Sequence, residues 1–288
     1  MSISSAERVS VISEALPYIK KFSGKAFVVK YGGSGMQTEH LKKVVIEDIA
    51  FLHYVGVKPT LVHGGGKEIN YMLSKLDLKS EFFQGLRVTD QPTMEVVEMV
   101  LTGKIQKELV GLLNQAGAKA IGLSGKDGEL LTAQKLSNQE FDWGLTGEII
   151  KVNSHVLEIL SKDGYLPVIS SVAADPAGKT LNVNADDVAA SLAVDLQAEK
   201  LILLTDMPGL LADPEDKSTL IRHLTVSEAQ DRIKDGSIRG GMIPKIQSAI
   251  KTLEAGVKAV HILDGTLEHV LLLEIFTEEG AGTMISRD

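Results

Sequence analysis

Lysines, glycines and acidic residues recur in this sequence where a transferred anionic group could be held. Lys30 is the penultimate residue of the apolar run AFVVKY and is followed by Gly32 and Gly33. A buried ammonium needs an anion, and glycines let backbone N–H groups approach one at a helix start. A strand-end lysine reaching solvent beside an ordinary turn would give the same pattern. Gly64, Gly65 and Gly66 repeat the theme after His63. Three glycines cost more backbone entropy than a turn requires, which favours close approach of a ligand, although tight helix packing would also use them. His63 itself reads as a structural histidine rather than a base.

Further along, Asn182, Asn184 and Asp186 alternate at the opening of a helix. N-capping explains one of them and leaves the others for a polar ligand or for orienting lysines. Thr205, Asp206 and Gly209 close an aliphatic strand, where Asp206 could cap a turn or meet a ribose. Lys245 follows Gly240 and Gly241 in a first helical turn, where the helix dipole disfavours a cation and a phosphate would justify one. Arg87 offers a planar fork suited to a carboxylate, or an ordinary surface ion pair. Two familiar phosphate-binding motifs are absent. Gly178-Lys179-Thr180 resembles the end of a P-loop, but Ala173 stands where its first glycine belongs and Pro176 lies inside it. The dinucleotide fingerprint fails from both glycine runs, with Thr38 and Ile69 at the third position.

The 288 residues carry a net charge of −8, which gives no reason to bind nucleic acid or an anionic membrane. There is no cysteine, so disulfides, thiolate catalysis and cysteine-ligated zinc are excluded. No signal-peptide-like run is expected near the N-terminus, no segment reads as a membrane span, and no dedicated metal site is expected. A cytoplasmic enzyme is the default.

The elements that must position these residues alternate between β-branched runs and amphipathic stretches. Strands are expected at 26–31, 59–63, 119–123, 166–172, 200–205 and 259–263. Helices are expected at 9–22, 41–54, 68–75, 93–114, 154–162, 185–196, 227–235, 243–256 and 267–276, with a β-hairpin excursion between 130 and 152. The pattern predicts an α/β three-layer sandwich with a mostly parallel central sheet and helices on both faces. The turns at 31–35, 63–66 and 205–209 then lie along one sheet edge, where such folds bind ligands. The chain divides into an arm helix (1–24), a lobe for the acceptor substrate and dimerisation (25–175), and a nucleotide lobe (176–288). Val9, Ile12, Leu16 and Ile19 give the arm its helical spacing, so it either packs on its own domain or reaches a neighbouring subunit.

Six segments in order resemble the amino acid kinase family: VVKYGGSG (28–35), LVHGGGKEIN (61–70), GLRVTD (85–90), LNVNADDVA (181–189), LLTDMPGLL (203–211) and GGMIPKI (240–246). The resemblance points within the family to members that phosphorylate the side-chain carboxylate of N-acetyl-L-glutamate for arginine biosynthesis. It implies that Lys30 and Lys245 flank the transferring phosphoryl group and that Asp186 positions both. Gly65, Gly66, Arg87, Asn182 and Asn184 would hold N-acetyl-L-glutamate. Gly32, Gly33, Thr205, Asp206, Gly209, Leu211 and Gly241 would form the ATP site, with Mg2+ held mainly through the phosphates. Segment 14–33 resembles the longer, arginine-inhibited form, in which arms link dimers into a hexamer. His261, Glu274 and Gly280 would then contact L-arginine, although Glu274 also reads as a solvated helix residue. Some such relatives bind a P-II-type signalling protein. The alternatives are a glutamate, aspartate or carbamate kinase of the family, or a non-catalytic arginine sensor.

Overall fold

The computed structural model describes residues 4–33, 38–138, 140–213, 215–239 and 242–288. The chain opens with α1 (Ser5–Phe22), β1 (Ala26–Tyr31), α2 (Glu39–Tyr54), β2 (Lys58–His63) and α3 (Gly66–Lys75). A small hairpin, β3 (Glu81–Phe83) and β4 (Leu86–Val88), leads into α4 (Gln91–Glu98) and α5 (Gln106–Gln115), joined by a π-helical segment at Met99–Ile105. Next come β5 (Lys119–Leu123), β6 (Leu131–Ser137), β7 (Asp142–Val152), α6 (His155–Lys162), β8 (Tyr165–Ser170), β9 (Val172–Ala174), β10 (Thr180–Val183) and α7 (Ala185–Asp195). The remainder holds β11 (Lys200–Thr205), β12 (Leu210–Leu211), β13 (Leu220–Ile221), β14 (His223–Thr225), α8 (Val226–Lys234), α9 (Met242–Glu254), β15 (Ala259–Asp264), α10 (Val270–Phe276) and β16 (Thr283–Ser286).

Eight strands form the central sheet in the order β14-β16-β15-β11-β1-β2-β8-β5. All neighbouring pairs are parallel except β15 with β16. The inner strands are almost wholly aliphatic because helices cover both of their faces. Alternation along β1 identifies the two outer layers. Lys30 faces α7, whereas Tyr31 points to the opposite side. There burial, and then Glu108 of α5 and Glu39 of α2, hold its phenol protonated. The expected three-layer sandwich is the architecture found.

Lys30 lies opposite Leu203 in β11 and opposite Val62 in β2. The C-terminal ends of β11, β1 and β2 are therefore level, and their turns share one edge of the sheet. Side-chain caps fix the helix starts nearby: Asp90 accepts from the Thr93 N–H at 2.8 Å and Asn184 from the Asp186 N–H at 2.7 Å.

Several expectations needed revision. Strand 166–172 breaks at Ser171 into β8 and β9, and β9 joins β6, β7 and β10 in a small closed barrel. The helix expected from 267 begins at Val270, because His269 adopts a left-handed φ of 55° that no helix accommodates. No helix among the described residues is long and apolar enough to cross a membrane.

Candidate active site

Asp186 sits in the first turn of α7, where the helix dipole favours a carboxylate. One oxygen lies 2.9 Å from the Lys30 Nζ and the other accepts from the Lys245 Nζ at 3.0 Å. Burial pushes this carboxyl up, but the two ammoniums outweigh it and hold it below the ordinary range. Lys30 arrives on β1 from one half of the chain, and Lys245 on α9 from the other. Lys245 thus has a counter-charge in place, which offsets its unfavourable seat in a first helical turn. Each ammonium has three donors, so each retains capacity for a further anion. Their side chains are 14% and 31% exposed, which leaves both reachable.

Lys30 also lines a cleft of about 220 Å³. The cleft gathers Gly32, Gly33, Gly65, Gly66, Arg87, Asn182 and Asn184, which the sequence singled out. A Cβ on Gly32 would lie 3.4 Å from the Lys30 Nζ, so this glycine keeps the ammonium uncovered. At Gly65 the reason differs. A side chain there would strike Ile105 and come within 2.8 Å of the Leu101 Cδ2, both on the π-helical segment. Helix packing alone demands that glycine, whereas Gly66 borders open space.

Arg87 is buried, not a surface residue. Its guanidinium donates to the Ser80 Oγ at 2.6 Å, to the Asn70 Oδ1 at 2.8 Å and to the Gly66 carbonyl at 3.3 Å. It also lies 4.6 Å from the centre of the Phe82 ring. All these acceptors are neutral, and Arg87 makes no ion pair among the described residues. A buried cation facing a cleft without a counter-ion suits an anionic group. Asn182 donates to the Thr89 Oγ1 at 3.1 Å, and the Thr89 hydroxyl meets that of Thr146 at 2.9 Å. Asn184 is the α7 cap, so the capping explanation holds for it, although it also lines the cleft.

Of the expected nucleotide residues, Gly32 and Gly33 line this cleft, whereas Thr205, Asp206, Gly209 and Leu211 lie at or beyond the end of β11 and do not. Thr205 accepts from the Met207 N–H at 3.0 Å, Asp206 is exposed and Leu211 is buried. Gly209 has φ 138°, and a Cβ there would lie 2.5 Å from the Thr283 Oγ1, so the turn itself requires glycine. Gly240 and Gly241 lie outside the described residues. Phe82, Thr146, Ser171 and Leu101 line the cleft and were not singled out from the sequence. They come from a short exposed hairpin, a barrel strand, a strand break and a π segment, none of which has a local signature.

The residues expected around arginine also converge. Glu274 is buried, not solvated. It accepts from the His261 Nδ1 at 2.6 Å and from the Ala281 and Gly282 N–H groups at 2.6 and 3.1 Å. Lys200 donates to the His261 Nε2 at 2.8 Å. A Cβ on Gly280 would lie 2.8 Å from the Glu274 Oε2.

Two lysines around an aspartate, at the edge of a mostly parallel sheet where such folds bind ligands, suit the charge of a phosphoryl-transfer enzyme's site. Residues 25–264 match the amino acid kinase family, and the chain belongs to it. An acetylglutamate kinase of Thermosynechococcus vestitus is 54% identical over 283 residues, covering 98% of this chain and 95% of that one. Another, from a Nostoc species, is 55% identical over 280 residues, covering 97% and 94%. Among solved structures, N-acetylglutamate synthase from Neisseria gonorrhoeae, complexed with coenzyme A and N-acetyl-glutamate, superposes with a TM-score of 0.86 at 28% identity. That match covers 97% of this chain, which spans 63% of the synthase chain. Carbamate kinase from Giardia lamblia, at 17% identity and TM-score 0.68, shares the fold.

Proposed function

We propose that the chain transfers the γ-phosphoryl group of ATP to the side-chain carboxylate of N-acetyl-L-glutamate. The observation carrying this reading is Asp186, which pairs with both Lys30 and Lys245 where Lys30 lines a cleft together with Arg87, a cation with no ion pair among the described residues. A glutamate side chain, with an ordinary pKa of about 4.3, is ionised at neutral pH and needs no general base. One carboxylate oxygen forms the new O–P bond while the bond to the ADP oxygen breaks. The protein then has to position two anions and neutralise the charge spread over the moving phosphoryl group. Lys30 and Lys245 supply positive charge, while N–H groups of the glycine turns supply donors. Arg87 clamps the α-carboxylate, with Gly65 and Gly66 from the N-terminal lobe and Asn182 and Asn184 from the start of the C-terminal lobe completing the acceptor pocket. ATP lies over Gly32, Gly33 and the 205–211 turn, and Gly241, outside the described residues, joins its site on the resemblance alone. Mg2+ would be held mainly through the phosphates, because the Asp186 carboxylate is already committed to two ammoniums.

The reading extends to inhibition by L-arginine at His261, Glu274 and Gly280, in a cytoplasmic enzyme of arginine biosynthesis. Its support is the resemblance together with the convergence of those three residues beside the arm. Val9 and Leu16 on α1 are 63% and 60% exposed, which suits an arm that pairs with another copy in a hexamer. A P-II-type partner rests on resemblance alone.

A hydroxamate assay with ATP tests the activity. Acyl phosphate should form with N-acetyl-L-glutamate and at least tenfold less with L-glutamate, whose charged ammonium replaces the neutral amide. Added arginine should lower the rate. No hydroxamate from the acetylated substrate would sink the reading.

A further inference from the structure

His63 ends β2 with its ring fully buried, and the reaction outlined above has no use for it as an acid or base. Its Nδ1 lies 3.1 Å from the carbonyl oxygen of Gly64. A carbonyl only accepts, so the imidazole proton sits on Nδ1. Burial pushes this imidazole down to about 4, with the Gly64 carbonyl opposing, so it stays neutral at working pH. Its Nε2 meets no protein partner among the described residues, and neither does the Ser170 hydroxyl on the adjoining strand. Among the described residues the ring therefore makes one hydrogen bond, and it is to the glycine turn.

That contact has a geometric consequence. The Gly64 N–H donates to the Tyr31 carbonyl at 3.2 Å, tying the turn to the end of β1. With its carbonyl held by His63, both polar groups of Gly64 point toward the scaffold. In a trans peptide the N–H points away from the preceding C=O. The Gly65 N–H is therefore directed away from His63, and it donates to no protein acceptor among the described residues. Three successive glycines give this segment unusual freedom to flip a peptide, so an anchor is needed.

We propose that His63 is a positioning residue: it locks the Gly64–Gly65 peptide so that the Gly65 N–H faces the cleft as a donor to the reacting oxygens. The proposal rests on the phosphoryl-transfer reading, and it makes His63 part of catalysis without contact to substrate. Losing the lock lets the peptide turn its carbonyl toward an anionic reaction centre, replacing an attraction with a repulsion.

Two substitutions separate this role from simple packing. The amide nitrogen of His63→Asn falls near the position of Nδ1 and preserves the donor, whereas His63→Gln moves it to the position of Nε2. In the hydroxamate assay His63→Gln should lose on the order of 10–100-fold in kcat, up to the loss seen when one oxyanion donor is removed. Its KM for N-acetyl-L-glutamate should stay within about threefold, and His63→Asn should recover most of the rate. Wild-type kcat in both variants would overturn the proposal, as would equal losses in both at unchanged melting temperature, or a loss confined to KM. Imidazole 15N spectra of the intact enzyme give an independent reading that no folding defect can obscure. They should show the Nδ1–H tautomer of His63 without titration between pH 5.5 and 8.5, and an Nε2–H tautomer or a midpoint in that range would overturn it. Wild-type enzyme without activity would instead count against the proposed function.

Discussion

Two carboxylates in this protein are each held between nitrogen-bearing groups, with opposite consequences. Asp186 joins the ammoniums of Lys30 and Lys245, and its side chain remains 24% exposed. Glu274 meets the His261 ring and two backbone N–H groups at 5% exposure, with Lys200 behind the histidine. At Glu274 the histidine and both N–H groups are committed, and Lys200 is buried behind them. At Asp186 each lysine meets one carboxylate oxygen, and both ammoniums remain partly exposed to an arriving ligand. Spare donors with access, rather than the number of charges, mark the reactive cluster. Any arginine bound near Glu274 must compete with bonds already made.

The largest expected effect comes from breaking the open cluster. Asp186→Asn removes the charge that holds two like-charged ammoniums together, so they repel and leave their positions. Turnover should fall about 1,000-fold, the scale set by losing preorganised electrostatic stabilisation. KM for N-acetyl-L-glutamate should change little, since Arg87 and the Asn182 network are untouched. Steady-state kinetics checks this, and turnover within tenfold of wild type would remove Asp186 from its assigned role.

A smaller effect sharpens the contrast from the cleft side. Arg87 donates to three neutral oxygens and stacks on Phe82, so its planar fork is already oriented. Arg87→Lys keeps the charge but loses the fork and the stacking. KM for the acyl amino acid should rise roughly 10–50-fold, the loss of one or two charged hydrogen bonds, with kcat changing by less than about threefold. A drop in kcat at constant KM would place Arg87 at the phosphoryl group instead of the clamp.

Much of this was legible in the sequence, for identifiable reasons. Strands β1, β5 and β11 match their expected limits, β1 and β11 because a buried parallel strand reads as a continuous apolar run between turn residues. The pairing of Lys30 with Lys245 through Asp186 was legible only through the order of motifs along the chain, since residues 215 positions apart carry no local sign of contact. Gly65 illustrates the converse. Its glycine looked like an invitation to ligand, yet the side chains of Ile105 and Leu101 on a π segment already require it. Periodicity cannot reveal that segment, because one inserted residue per turn leaves the helical spacing of 93–114 almost unchanged. Lys200 was overlooked although it follows the logic applied to Lys30, a lysine within a buried aliphatic strand.

Lys200 also yields the smallest and most specific prediction. Burial pushes its ammonium down to about 8, with the Glu274 carboxylate opposing, from an ordinary value near 10.5. Between those pH values the unfolded chain binds the proton more tightly than the folded one, so folded stability contributed by this group rises with pH. Lys200→Met exchanges a buried ammonium for an apolar chain of similar volume, while Glu274 keeps its histidine and two N–H donors. The variant should gain stability over wild type near pH 7, on the order of 1–3 kcal/mol, or a few degrees in melting temperature. That gain should shrink steadily toward pH 10 as the wild-type lysine sheds its proton. Thermal melts of both proteins at pH 7, 8, 9 and 10 measure the difference directly. A constant difference would mean that Lys200 stays charged in its burial, and the closed cluster would then resemble the open one more than its geometry indicates.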